Sequence, residues 1–138
     1  MKAFLDTPLL VYLNTIAEDE RRLVYESFYL DILSRYKLYT DVLVLDELIY
    51  VSKRKYGIPY SVTLDFIEAI VLPYVTVIGL GEDEYREAAR LIAKLNLKPS
   101  DALHVAAMKM NGIRLVISED KELDKVPDVK RVWLTSSP

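Results

Sequence analysis

At 138 residues, 51% hydrophobic and 28% charged, the chain is long enough for one domain with a substantial core and too short for two. A formal net charge of −3 excludes an overall basic field, so a polyanionic substrate must be met by a local patch or through bound cations. The lack of cysteine excludes disulfides, thiolate metal sites and cysteine nucleophiles, and a single histidine, His104, excludes a histidine-rich zinc site.

In chain order, Ala3-Phe4-Leu5 reads as a short buried strand that ends at Asp6. Thr7 is expected to cap the next helix, with Pro8 in its first turn. In parallel α/β sheets, ligands gather outside the carboxyl ends of strands, and Asp6 stands at such an end. The apolar start is broken by that aspartate, no small-residue cleavage site follows, and no apolar run approaches a membrane span. The expectation is a cytoplasmic protein without a membrane partner.

Asp19 to Tyr36 has the pattern of an amphipathic helix, with Leu23, Phe28, Leu30 and Leu33 facing inward and Glu20, Arg21, Arg22, Glu26 and Arg35 in water. The rings of Tyr25, Tyr29 and Tyr36 read as core or rim packing in preference to a partner surface. Thr40-Asp41 can cap a third helix, Val42 to Tyr56, ended by Gly57 and Pro59. Its apolar segment VLVLDELIYV carries Asp46 and Glu47, and an acid in apolar surroundings is costly unless paired, solvated or bound to a cation. At least one of the two is expected to be buried enough to need a cation, and helical spacing alone does not choose between them. Lys53-Arg54-Lys55 reads as a solvated helix end that could meet phosphates.

Tyr60 to Leu72 reads as a helix closed by Pro73, and Val75 to Ile78 as a second central strand. Glu82-Asp83-Glu84 opens a helix running to Leu95, where the acids complement the helix dipole and are not read as metal ligands. Ser100 is expected to cap a further helix with Asp101 at its first position, and the apolar residues from Ala102 to Met110 mark that helix as buried. Asn111-Gly112 stops it, and Leu115-Val116-Ile117 has the make-up of a central parallel strand. Ser118-Glu119-Asp120 follows that strand, and Val129 to Leu134 reads as an edge strand. Each acid alone reads as a cap or a polar turn; Asp6 and Asp120 at one sheet edge, with Asp101 on a buried helix between, suggest a site. Strands alternate with helices and no linker appears. The expected fold is α/β: one three-layer domain over residues 1–138, with a mainly parallel central sheet flanked by helices.

The segments FLDTPLLVYL, LDELIYV, SDALHVAAM and VISEDKEL resemble the four acidic motifs of the PIN domain, the nuclease domain of VapC toxins and of several RNA-processing enzymes. The resemblance covers nearly the whole chain in the right order. By position it implies that Asp6 is the first acid, Glu47 the glutamate of the second motif, Asp101 the third acid and Asp120 the acid after the last core strand. It is the resemblance that selects Glu47 over Asp46. Thr7 and Ser118 match the hydroxyl positions that accompany the first and last motifs. Two features depart from the pattern: the stretch Glu18 to Lys37 is unusually rich in tyrosine, and Glu122-Leu123 stands where a second aspartate and a phenylalanine are common.

Several carboxylates at one sheet edge repel one another unless a proton or a cation intervenes. Mg²⁺ or Mn²⁺, with oxygen ligands, relieves that repulsion and can activate water for attack on a phosphodiester. The expectation is a metal-dependent endoribonuclease of single-stranded or looped RNA, with Asp6, Asp101 and Asp120 as ligands and Glu47 as a ligand or water-positioning group. Lys53, Arg54 and Lys98, with Thr7 and Ser118, are the candidates for substrate binding, and His104 is read as a packed core histidine. If the chain is a VapC-type toxin, the resemblance implies a small antitoxin over the acidic cleft and a homodimer, for which Asp19 to Tyr36 is the candidate surface. The alternatives are an RNA-processing PIN nuclease outside a toxin–antitoxin system, and a non-catalytic metal-binding or regulatory module. A phospho-acceptor receiver is disfavoured because Phe4-Leu5-Asp6 offers one acid where a receiver needs a pair, and because a glutamate sits in mid-helix.

Overall fold

The computed structural model describes residues 1–134. Five strands, β1 (Lys2–Leu5), β2 (Lys37–Asp41), β3 (Val75–Ile78), β4 (Leu115–Ile117) and β5 (Lys130–Val132), form one sheet in the order β3-β2-β1-β4-β5. Every neighbouring pair is parallel, with Phe4 opposite both Tyr39 and Val116. The helices are α1 (Thr7–Thr15), α2 (Glu20–Arg35), α3 (Val42–Tyr56), α4 (Tyr60–Phe66), α5 (Glu82–Leu95) and α6 (Pro99–Met110). They flank the sheet, α1 packing on α2 and α3, and α5 on α6. β1 is central and buried from Ala3 to Leu5, β4 is buried throughout, and most of α6 between Asp101 and Met108 is buried.

From β1 the chain moves outward to β2 and β3, then returns across the sheet to β4 and β5. The direction of winding therefore reverses between β1 and β4, and a parallel sheet leaves a crevice at such a switch point, outside the carboxyl ends of the strands. Asp6 follows β1 and Ser118 to Asp120 follow β4, so the topology alone brings these residues to the two lips of that crevice.

Several elements differ from the sequence expectations. β2 is an additional strand: Lys37-Leu38-Tyr39-Thr40-Asp41 carries too few aliphatic residues to stand out, and its β-favouring tyrosine and threonine gain their burial from neighbouring β1 and β3. β3 is an edge strand, not a central one. The helix from Tyr60 to Leu72 is interrupted: α4 passes at Ile67–Val71 into a wider turn that closes with the Leu72 N–H on the Ile67 carbonyl at 2.9 Å. In α2 the buried residues are Phe28, Tyr29 and Ile32, while Leu23 and Leu30 are 59% and 66% exposed. Tyr25 packs at the rim, stacked on Tyr12 at 4.6 Å, and Tyr29 and Tyr36 are buried. α3 ends, as expected, at Gly57 in the left-handed conformation, with φ 69°.

Candidate active site

Asp6 is 6% exposed and fixed at both oxygens. It, and not Thr7, caps α1: Oδ1 accepts from the Thr7 backbone N–H at 2.9 Å, and Thr7 becomes the first helical residue. Oδ2 accepts from the Ser118 hydroxyl at 2.6 Å. The same hydroxyl oxygen accepts from the Asp120 backbone N–H at 3.1 Å, so Ser118 ties the acid after β1 to the turn after β4. Asp120 in turn caps the short 3₁₀ turn Lys121–Lys125 by accepting from Glu122 N–H at 3.0 Å. At the rim, the Tyr12 hydroxyl of α1 donates to Glu119 Oε1 at 2.5 Å.

Asp101 meets this pair from α6. Helix α6 begins at Pro99 with Lys98 as its cap, which makes Asp101 the third helical residue and gives Ser100 no capping role. The shift follows from proline, whose fixed φ and missing N–H suit the first turn. Asp101 is 7% exposed, and its Oδ2 is buried without a hydrogen-bond partner among the described residues. Burial pushes its pKa up to about 6, the negative charges of Asp6 and Asp120 and a hydrogen bond to Asp120 add to the rise, and His104 opposes it. A carboxylate held so far above its usual range, with an oxygen left unsatisfied, is a group waiting for a cation or a proton.

Behind Asp6 lies a pair that the sequence reading did not identify as part of the site. Asp41, fully buried at the end of β2, caps α3 through Val44 N–H at 3.1 Å and holds His104 Nδ1 at 2.6 Å through Oδ2. His104 Nε2 then lies 3.9 Å from Asp6 Oδ1. The histidine is a buried core residue, packed against the Phe4 ring with centroids 5.3 Å apart, and it also joins two acids. Burial disfavours its charge, but the Asp41 hydrogen bond and the charges of Asp41, Asp6 and Asp101 outweigh that cost and raise its pKa. The signal that could have found Asp41 is its place after Tyr39-Thr40, a third acid at a strand end; without β2 it read only as a helix cap.

The structure brings Asp6, Asp101, Asp120 and Ser118 together. Thr7 is beside them, its hydroxyl buried without a partner among the described residues. Glu47 and Asp46 are both exposed, which overturns the expectation that at least one would be buried. The buried stripe of α3 is Val44, Leu48 and Ser52, at intervals of four, and both acids sit off it. Among the described residues Glu47 forms no side-chain hydrogen bond and no ion pair. Lys98 is exposed at the start of α6, Lys53 lies over the Tyr60 ring at 5.2 Å and Arg54 over the Tyr50 ring at 6.0 Å.

As the side chains stand, no group of three or more His, Asp or Glu among the described residues is arranged to hold a metal ion. The donor chemistry nevertheless fits one: the oxygens are hard, the carboxylates repel one another, and Asp101 Oδ2 is unsatisfied. A magnesium-like ion needs only one or two protein carboxylates, with water and substrate oxygens completing its shell.

The fold has known relatives. VapC20 of Mycobacterium tuberculosis, a toxin that cleaves the sarcin–ricin loop, superposes with a TM-score of 0.71 at 20% identity, over 88% of this chain and 92% of that one. A chain of the DNA-bound VapBC from Salmonella typhimurium gives 0.71 at 16% identity, over 97% and 98%. A chain of VapBC-1 from nontypeable Haemophilus influenzae gives 0.70 at 19%, over 99% and 100%. No curated protein matches the sequence. The model of the PIN domain matches residues 3–129, which include Asp6, Glu47, Asp101 and Asp120, and the chain therefore belongs to the PIN domain family.

Proposed function

We propose that this PIN domain is a divalent-cation-dependent endoribonuclease acting on single-stranded or looped RNA, and that it is the toxin of a VapBC-type pair whose small antitoxin covers the acidic cleft. Members of the family are nucleases, and the structural relatives named VapC or VapBC favour the toxin–antitoxin setting. The observation that carries the reading is the buried, partnerless Asp101 Oδ2 facing Asp6 and Asp120 at the topological switch point.

Asp6, Asp101 and Asp120 would hold Mg²⁺ or Mn²⁺, which when bound lowers the pKa of water and stabilises the leaving oxygen. The protein's own groups prepare that site. Ser118 and the Thr7 N–H hold both oxygens of Asp6 in place, and the Ser118 oxygen positions the Asp120 backbone. Asp101 becomes a full carboxylate as the pH rises past about 6. His104, held by Asp41, faces Asp6 from the interior and limits its rotation. Glu47, exposed on α3, is free to meet water or substrate; Lys53, Arg54 and Lys98 supply the exposed positive charge for phosphates.

The test is cleavage of a labelled single-stranded RNA with Mg²⁺ or Mn²⁺ by the natural protein and by Asp101→Asn, each with and without chelator, alongside thermal melting. Metal-dependent cleavage lost in the variant, with metal raising the melting point of the natural protein only, is the expected result. Stabilisation by metal without cleavage would point to a metal-binding module whose nuclease function is lost. Neither effect in a folded protein would overturn the proposal.

A further inference from the structure

The opposite, amino edge of the sheet carries a row of cations that the proposed cleavage chemistry does not use. Lys37 opens β2, Lys2 opens β1, Arg114 immediately precedes β4 and Lys130 opens β5. The spatial order of the strands makes this a continuous sequence Lys37, Lys2, Arg114, Lys130 along one edge. Lys2 is directly opposite Lys37, and Arg114 precedes the pairing of Leu115 with Ala3 and Lys130. All four are exposed. Lys2, Arg114 and Lys130, together with Asp128, line an open cavity of about 540 Å³.

Two features of this row bear on its use, beside its alignment. Most arginines outside it are neutralised: Arg21, Arg22, Arg35, Arg86, Arg90 and Arg131 each pair with a carboxylate, whereas Arg54 lies over the Tyr50 ring, and lysines such as Lys94 and Lys98 stand unpaired without forming a row. Among the described residues none of Lys37, Lys2, Arg114 and Lys130 has such a partner. Second, Lys2 and Lys37 are like charges directly opposite on adjacent strands, an arrangement that destabilises a sheet. Both ammoniums lie 5.6 Å from the centre of the Tyr39 ring, which softens the repulsion without removing it. Lys2 Nζ also donates to the Asn111 carbonyl at 3.0 Å, so the fold compensates the pair in part, and the remaining repulsion is what a bound polyanion would relieve.

We propose that this amino edge is a second contact surface for a nucleic-acid phosphodiester backbone, remote from the acidic crevice. Strands are spaced by about 4.8 Å, so four strand starts set cations along about 14 Å, a line that follows a backbone better than it encloses a single small anion. Of the large exposed apolar residues, Met1 and Tyr74 stand at the strand starts, while others, such as Leu23, Leu30, Leu64 and Ile70, lie on α2 and in the segment after α3, so the row is not backed by the continuous apolar face that a membrane surface would engage. The inference rests on the ribonuclease reading only for the identity of the nucleic acid as RNA. An RNA reaching both edges would be gripped far from the cleavage point, and substrate choice would then depend on length and shape.

The experiment separates the two readings by measuring binding without cleavage. Full-length Asp101→Asn, in chelator, is titrated with a labelled unstructured RNA at several salt concentrations, beside the same protein carrying Lys2→Gln, Arg114→Gln and Lys130→Gln. A control carries the same charge change at Arg21, Arg86 and Lys94. The edge variant should bind about tenfold or more weakly at low salt, with the slope of log affinity against log salt reduced by about 2, since each phosphate contact on a single strand contributes about 0.7. The control should bind within about threefold of the parent. In the unsubstituted protein, RNA should protect Lys2 and Lys130 from acetylation and leave Lys94 reactive, a measurement that needs no variant to fold. Equal weakening of edge variant and control, unchanged binding by the edge variant, a parent that does not bind, or equal protection by inorganic phosphate alone would each overturn the inference. A selective loss in the edge variant, beside a natural protein that never cleaves, would keep the edge contact and sink the nuclease reading.

Discussion

The two edges of one sheet are built on opposite electrostatic terms. At the carboxyl edge, Asp6 and Asp101 are nearly buried, and the charge of Asp6 adds to the cost of ionising Asp101. At the amino edge, four cations stand exposed at the starts of four of the five strands, where solvent screens them. Burial converts charge into chemistry, because a desolvated carboxylate must find a proton, a donor or a cation. Exposure leaves charge able to attract a polyanion but unable to activate anything. A single acid can therefore matter greatly at the first edge, whereas at the second only the row as a whole can matter.

Removing an acid from the buried edge should have the largest effect. Asp6→Asn or Asp101→Asn should lower metal-dependent cleavage at least about 1000-fold, read as single-turnover rates, because a metal-supported barrier loses several kcal/mol with its ligand. Equal activity would place the catalytic centre elsewhere. Asp41→Ala is the largest expected effect on stability. It removes the cap of α3 and leaves His104 unpaired in the core, at a cost of about 3–5 kcal/mol. Denaturant unfolding should report that loss, and a change below about 1 kcal/mol would mean that the Asp41–His104 pair is dispensable.

The next effect has opposite signs for activity and stability. The folded-state pKa of Asp101, pushed to about 6, lies above its ordinary value of 3.8, so folding favours the protonated form. That contribution is fully present below about pH 4 and is lost as the pH rises through about 6. Without metal, Asp101→Asn should therefore be more stable than the natural protein at pH 7, by about 1–3 kcal/mol, with the difference vanishing near pH 4. Cleavage by the natural protein should climb over the same interval, as Asp101 is freed for the metal. A variant less stable than the parent at pH 7 would show that the acid is satisfied in some other way. The smallest effect belongs to Glu47→Gln. The side chain is exposed, so stability should change by less than about 0.5 kcal/mol while cleavage falls at least tenfold if it positions water. Unchanged cleavage would remove Glu47 from the site.

The class of fold and much of the candidate site were legible in the order of residues alone. Asp6 after Phe4-Leu5 and Asp120 after Val116-Ile117 were legible because an apolar run that ends in an acid marks where a buried strand meets water. The helices Val42 to Tyr56 and Glu82 to Leu95 were legible to the residue, because Gly57 and the acidic triplet at Glu82 are local signals. Three things were decided only by the tertiary structure. β2 exists because β1 and β3 bury Tyr39 and Thr40, a long-range gain that no local pattern records. The edge position of β3 and the switch point between β1 and β4 depend on strand order, which alternation of strands and helices leaves open. The burial of Asp41 depends on the place of β2 beside β1, and the exposure of Glu47 on which stripe of α3 meets the core. A helix fixes the angle between its own residues, and only packing fixes the direction in which that set of angles points.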